Sequence, residues 1–108
     1  MVQGYEKRQH ARTEISAVAV LIAPARGGYL SNAEDISGGG AKLIRPLAWE
    51  KPDAPFRLYF IFDQDTVVEL RATLVRASDE HLAFQFDSGQ PDEIDQLLYE
   101  TRFIVHAA

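Results

Sequence analysis

The sequence predicts a mostly β domain: a six-stranded antiparallel barrel with a C-terminal α-helix. Short apolar runs rich in β-branched and aromatic residues recur along the chain, separated by Gly, Pro and Asp clusters. The later runs alternate apolar and polar residues with a period of two, and beyond Pro91 the period becomes helical. With 108 residues and 46% hydrophobic content, the chain has material for one core and one domain spanning 1–108.

Residues 1–14 are polar, include Gly4 and show no apolar period, so they read as an arm lying across the domain. The barrel is expected over 15–90. Ile15 to Ala23 (ISAVAVLIA) is bounded by Pro24 and Gly27-Gly28, as suits a largely buried strand, and a second strand starts at Tyr29. From Asp35 to Gly40 three successive glycines give up side-chain packing and invite positive φ, which predicts a turn rather than strand interior. A short strand follows over Ala41–Ile44. Pro46, Pro52 and Pro55 then punctuate a loop before the aromatic strand FRLYFIF at 56–62.

Over 67–76, Val68, Leu70, Ala72 and Leu74 fall on one face, with Glu69, Arg71 and Thr73 on the other. After a turn at Ser78-Asp79-Glu80, Leu82, Phe84 and Phe86 alternate in the same way, as a hairpin partner. Pro91, Asp92 and Glu93 suit a helix N-terminus, and Ile94, Leu97 and Leu98 give the apolar face of a helix expected over 91–105. Six strands at this length favour a closed or partly closed barrel, which hides its edges. Trp49 and the aromatics Tyr59, Phe60, Phe62, Phe84 and Phe86 are expected as core residues or loop anchors rather than base-stacking platforms.

Composition narrows the function. The absence of cysteine excludes disulfides, thiolate metal sites and a cysteine nucleophile, and points to the cytoplasm. The N-terminus does not read as a secretory signal, and the longest apolar run is about half the length of a membrane-spanning helix, so no membrane insertion is expected. A net charge of −5, from 16 acidic and 11 basic side chains, argues against binding a nucleic-acid polymer. Any anion site must be local, and the densest basic cluster is Lys7, Arg8, His10 and Arg12. His10, His81 and His106 lack metal-ligand spacing, Ser37 has no evident base, and no enzyme signature is present.

Two motifs carry chemistry. In Arg8-Gln-His-Ala-Arg12 two guanidiniums four residues apart can grip one ligand, each able to bind a phosphate bidentately or to match guanine O6 and N7. In Asp35-Ile-Ser37-Gly-Gly-Gly40, Asp35 and Ser37 share one side of an extended segment. The carboxylate can accept guanine N–H donors, the hydroxyl can donate to a phosphate oxygen, and Gly40 lets the backbone come close to a ligand. Taken singly, the arginine pair reads as a solvated face with Glu6 and Glu14 as partners, and the second segment as an Asx turn.

RxxxR, then a strand pair, then DxSxxG resembles the PilZ domain family, and the likeness extends over nearly the whole chain through VELRATLVRAS, HLAFQFDS and the closing helix. The resemblance implies a six-stranded antiparallel PilZ-type β-barrel, no catalysis, no cofactor and reversible binding of the bacterial second messenger cyclic di-GMP. It also implies that Arg8 and Arg12 wrap phosphates and guanine edges from the arm while Asp35, Ser37 and Gly40 present the barrel side. Many members carry a further arginine just before RxxxR, where this chain has Lys7. Lysine keeps the charge without the planar fork, leaving one or two bound ligands open. Binding is expected to fold the arm over the ligand and alter contact with an unidentified downstream protein. Two alternatives stand beside this: a non-binding PilZ-like module that docks on a pilus, flagellar or synthase component, and a site for another guanine nucleotide or cyclic dinucleotide.

Overall fold

The computed structural model describes residues 18–104. Six strands, β1 Ala19–Ala23, β2 Tyr29–Ile36, β3 Gly40–Ile44, β4 Phe56–Asp63, β5 Thr66–Ala77 and β6 His81–Phe86, are followed by helix α1, Pro91–Thr101. They close into a barrel in the order β1-β2-β3-β6-β5-β4, every neighbouring pair antiparallel. The predicted fold class is the observed one.

Alternation fills the interior. Val20 and Ile22 of β1, Leu43 of β3, Leu58 and Phe60 of β4, Val68 and Leu70 of β5, and Leu82 and Phe84 of β6 are all buried. Burying such a side chain is worth about 1.5–3 kcal/mol each, so the inward-facing set dominates the stability of the barrel. At one end Trp49 anchors the long β3–β4 loop: its ring lies 5.0 Å from Tyr29 and 6.2 Å from Phe56, and Phe56 meets Phe84 edge-on at 5.4 Å. The other end is covered by α1, whose Leu97 is fully buried and whose Ile94 packs on the core. No helix among the described residues is long and apolar enough to cross a membrane.

Several boundaries differ from the sequence reading. The first strand is described from Ala19; Ile15 to Ala17 lie outside the described residues, as do the arm and its site residues. The segment 35–40 is not wholly a turn, since Asp35 and Ile36 end β2 and Gly40 begins β3. None of its glycines takes the positive φ expected there; that conformation occurs at Gly27 and Gly89. Gly40 is instead required by packing. A Cβ there would overlap the Phe84 carbonyl oxygen and lie 3.2 Å from Gln85 Cα, because β6 runs close beside the start of β3.

The helix ends at Thr101 rather than 105. Its last turn tightens: Phe103 N–H donates to the Glu100 carbonyl at 3.2 Å and Ile104 N–H to that of Thr101 at 3.0 Å, three-residue spacings that bring Ile104 back onto the core. At the other end, Gln90 precedes Pro91 and is buried. Its side-chain amide accepts from Arg71 N–H at 2.7 Å and donates to the carbonyls of Arg71 at 2.9 Å and Asp87 at 2.8 Å. It thereby continues the ladder along β5 where β6 stops.

Two substitutions test these constraints by urea denaturation. Gly40→Ala should cost about 1–3 kcal/mol or more from overpacking, whereas Gly39→Ala, with nothing within 4 Å of the added methyl, should change little. Gln90→Ala should cost about 1–3 kcal/mol, and Gln90→Glu should not restore stability, because a carboxylate cannot donate to the two carbonyls.

Candidate functional site

The β2–β3 connection is a tight hairpin. Ser37 N–H donates to the Gly40 carbonyl at 2.9 Å, leaving Gly38 and Gly39 as the loop, and Phe86 N–H from β6 donates to the Gly39 carbonyl at 2.9 Å. The Ser37 hydroxyl also belongs to this turn, accepting from Gly39 N–H and lying 3.3 Å from the Gly40 carbonyl, to which it donates. Side-chain bonds of this local kind fix the loop and hold the serine at its rim.

Asp35 reaches the outer surface through a β-bulge. Along β2, Ser31 and Ala33 are buried and Asn32 exposed, but Glu34 and Asp35 are both exposed before Ile36 turns inward again. The register confirms the extra residue: Ala33 opposes Leu43, and Asp35 opposes the next residue of β3, Lys42. Without the insertion at Glu34, the period of two would send Asp35 into the core. The Glu34 carboxylate lies 3.8 Å from Nε2 of His81, at the start of β6.

On the outer face these elements enclose a shallow depression of about 200 Å³. Asp35, Ser37 and Lys42 provide its polar lining, and Gly40, Ala41, Ala83 and Phe84 its small or apolar part. The three barrel-side residues singled out in the sequence are therefore brought together. Gly40 owes its lack of a side chain to the close approach of β6, whatever else it does here. Lys42 is a member the sequence reading passed over. Counting back from a two-residue loop pairs Ile36 with Ala41 and Asp35 with Lys42, so the signal was present in the hairpin once its loop length is known.

Lys7, Arg8 and Arg12 lie outside the described residues. The chain enters the described part at Val18, which is buried and whose carbonyl accepts from Ala33 N–H at 2.9 Å, directly before the bulge that aims Asp35. His10 and His106 are likewise outside; among the described residues no group of three His, Cys, Asp or Glu could hold a metal ion.

A second groove, about 260 Å³, runs between β5 and α1 and is lined by Arg57, Glu69, Arg71, Gln90, Glu93 and Gln96 among others. Its charges are balanced, Arg57 pairing with Glu69 at 3.4 Å, and Gln90 is committed to the β5 backbone. Asp35, Ser37 and Gly40 do not line it.

Comparison with known proteins agrees with this architecture. The crystal structure of the PilZ domain of CeSA from a cellulose-synthesizing bacterium matches with a TM-score of 0.56 at 20% identity, covering 75% of this chain and 85% of that one, a likeness of fold. No curated protein matches the chain in sequence. The model of the PilZ domain matches residues 6–101, a span that contains both motifs and the whole barrel. The chain belongs to the PilZ domain family.

Proposed function

We propose that this protein is a receptor for cyclic di-GMP that binds the messenger between Lys7, Arg8 and Arg12 on one side and Asp35, Ser37 and Gly40 on the other. The observation that supports it most is convergence: Asp35, Ser37 and Gly40 line one depression, and the chain leading from Arg12 arrives beside it at Val18. Arg12 precedes Val18 by six residues, which span at most about 20 Å, so its guanidinium is within reach of that depression.

In this reading the Asp35 carboxylate accepts the N–H donors of a guanine edge, and Lys42 beside it offsets the charge of the phosphates. The Ser37 hydroxyl can exchange its long bond to the Gly40 carbonyl for a phosphate oxygen without leaving the turn. Arg8 and Arg12 close the site from the other side with bidentate contacts, for which lysine would be a poor replacement. The protein binds its ligand without turning it over. It acts in the cytoplasm, and the altered N-terminal conformation is read by a partner protein.

Calorimetric titration of cyclic di-GMP checks the reading, with GTP and cyclic di-AMP as controls. Arg8→Ala and Arg12→Ala should each cost about 2–5 kcal/mol of binding, roughly thirtyfold to several thousandfold in affinity. A fall below about threefold in either would remove that arginine from the site. Asp35→Ala should weaken binding about tenfold or more while leaving the unfolding midpoint close to wild type, because the side chain is exposed. A folded wild type that binds none of the three nucleotides would favour the protein-interaction module instead. That second reading draws on Leu30 of β2 and Leu47 of the β3–β4 loop, which are 68% and 107% exposed.

A further inference from the structure

β5 carries a second bulge, and it falls in the same cross-strand row as the first. Thr66, Val68, Leu70, Ala72 and Leu74 turn inward in regular alternation, which would carry Arg76 into the barrel next. Instead the register shifts between Leu74 and Arg76, with Val75 as the extra residue, and Arg76 is exposed. Its cross-strand partner is Ala83, which pairs on its other side with Lys42, the partner of Asp35.

The outer surface therefore carries one continuous row, Asp35, Lys42, Ala83, Arg76, across β2, β3, β6 and β5. At about 4.8 Å per strand it is roughly 14 Å from end to end along the surface. Both of its ends are turned outward by a bulge one residue earlier, and the methyl of Ala83 keeps the ground between the two cations low. Three other arginines are engaged, while Arg26 and Arg71 lie away from this row: Arg45 donates to the Ser78 carbonyl at 2.9 Å, Arg57 pairs with Glu69 at 3.4 Å and Arg102 lies over the Tyr99 ring. Arg76 has no such partner among the described residues.

We propose that Arg76 is a further guanine-binding residue of this site, an assignment that rests on the receptor reading above. Cyclic di-GMP has a guanine on each side of a central ring that holds its two phosphates. With one guanine at Asp35 and the phosphates over Lys42, the other guanine meets the far end of the row. There the Arg76 fork donates to O6 and N7, the pair of acceptors that guanine presents on one edge. Lysine, a point charge, does not reproduce that fork.

The test is calorimetric titration of cyclic di-GMP into wild type, Arg76→Ala, Arg76→Lys, Arg57→Ala and Arg12→Ala, with thermal unfolding in parallel. Arg76→Ala should bind about tenfold or more weakly, Arg76→Lys should recover little of that loss, and Arg57→Ala, in the other groove, should stay within about threefold of wild type. The preference over cyclic di-AMP, whose base presents a donor in place of O6, should narrow in Arg76→Ala. Wild-type affinity in Arg76→Ala beside lost binding in Arg12→Ala would remove Arg76 from the site and leave the receptor reading standing. Full recovery in Arg76→Lys would overturn the guanine contact by showing that charge alone suffices. A wild type that does not bind cyclic di-GMP would overturn the receptor reading and the Arg76 assignment together.

Discussion

In a barrel whose inner face is a packed core, the side chains of each strand must alternate in and out, and one inserted residue exchanges the two sets. β2 uses that exchange at Glu34. Ser31 and Ala33 point inward before the bulge and Ile36 after it, so the core is kept while Asp35 is moved to the surface. β5 does the same at Val75, keeping Leu74 inward and Arg76 outward. The outer surface beside the β2–β3 hairpin follows from these two insertions, and with it the row of Asp35, Lys42, Ala83 and Arg76 over four adjacent strands.

Backbone contacts hold this surface in place. Gly40 lets β3 lie against β6 where any side chain would strike the Phe84 carbonyl, so the hairpin can sit flush beside Ala83. Gln90 supplies through its amide the hydrogen bonds that a longer β6 would have given to β5, and the same residue starts α1 over the end of the barrel. Hydrogen bonds between buried groups contribute modestly when made but are costly to lose, so this one side chain ties the sheet edge to the helix. A net charge of −5 does not oppose an anion site here, because screening limits the acidic helix face of Asp92, Glu93 and Asp95 to its own surroundings.

Much of the fold was legible in the sequence because it rests on period and punctuation. The alternation in β5 and β6, the shift of period at Pro91 and the glycine turn gave six strands, a helix and their order. Trp49 was readable as a core residue or loop anchor, and it is buried against Tyr29 from within the β3–β4 loop. Bulges were not legible: each is a single extra residue in an otherwise regular strand, placed by the partner strand, and neither Glu34 nor Val75 announces it. The same holds for Gly40, whose need for glycine comes from β6, more than forty positions later in the chain. Of the candidate site, Asp35, Ser37 and Gly40 were singled out by motif. Lys42 and Arg76 stand in one row with Asp35 only through cross-strand pairing, which a linear pattern does not display. The helix end at Thr101 was missed because no glycine or proline marks it; the chain turns back where Ile104 can reach the core.

The most direct measurement is the change in backbone amide NMR shifts as cyclic di-GMP is added to the full chain. Perturbations concentrated at Asp35–Lys42, Ala83 and Arg76, together with Lys7 to Arg12, are the predicted result. Shifts confined to the groove of Arg57, Arg71 and Glu93, or none at saturating ligand, would contradict a site built on the outward-turned row.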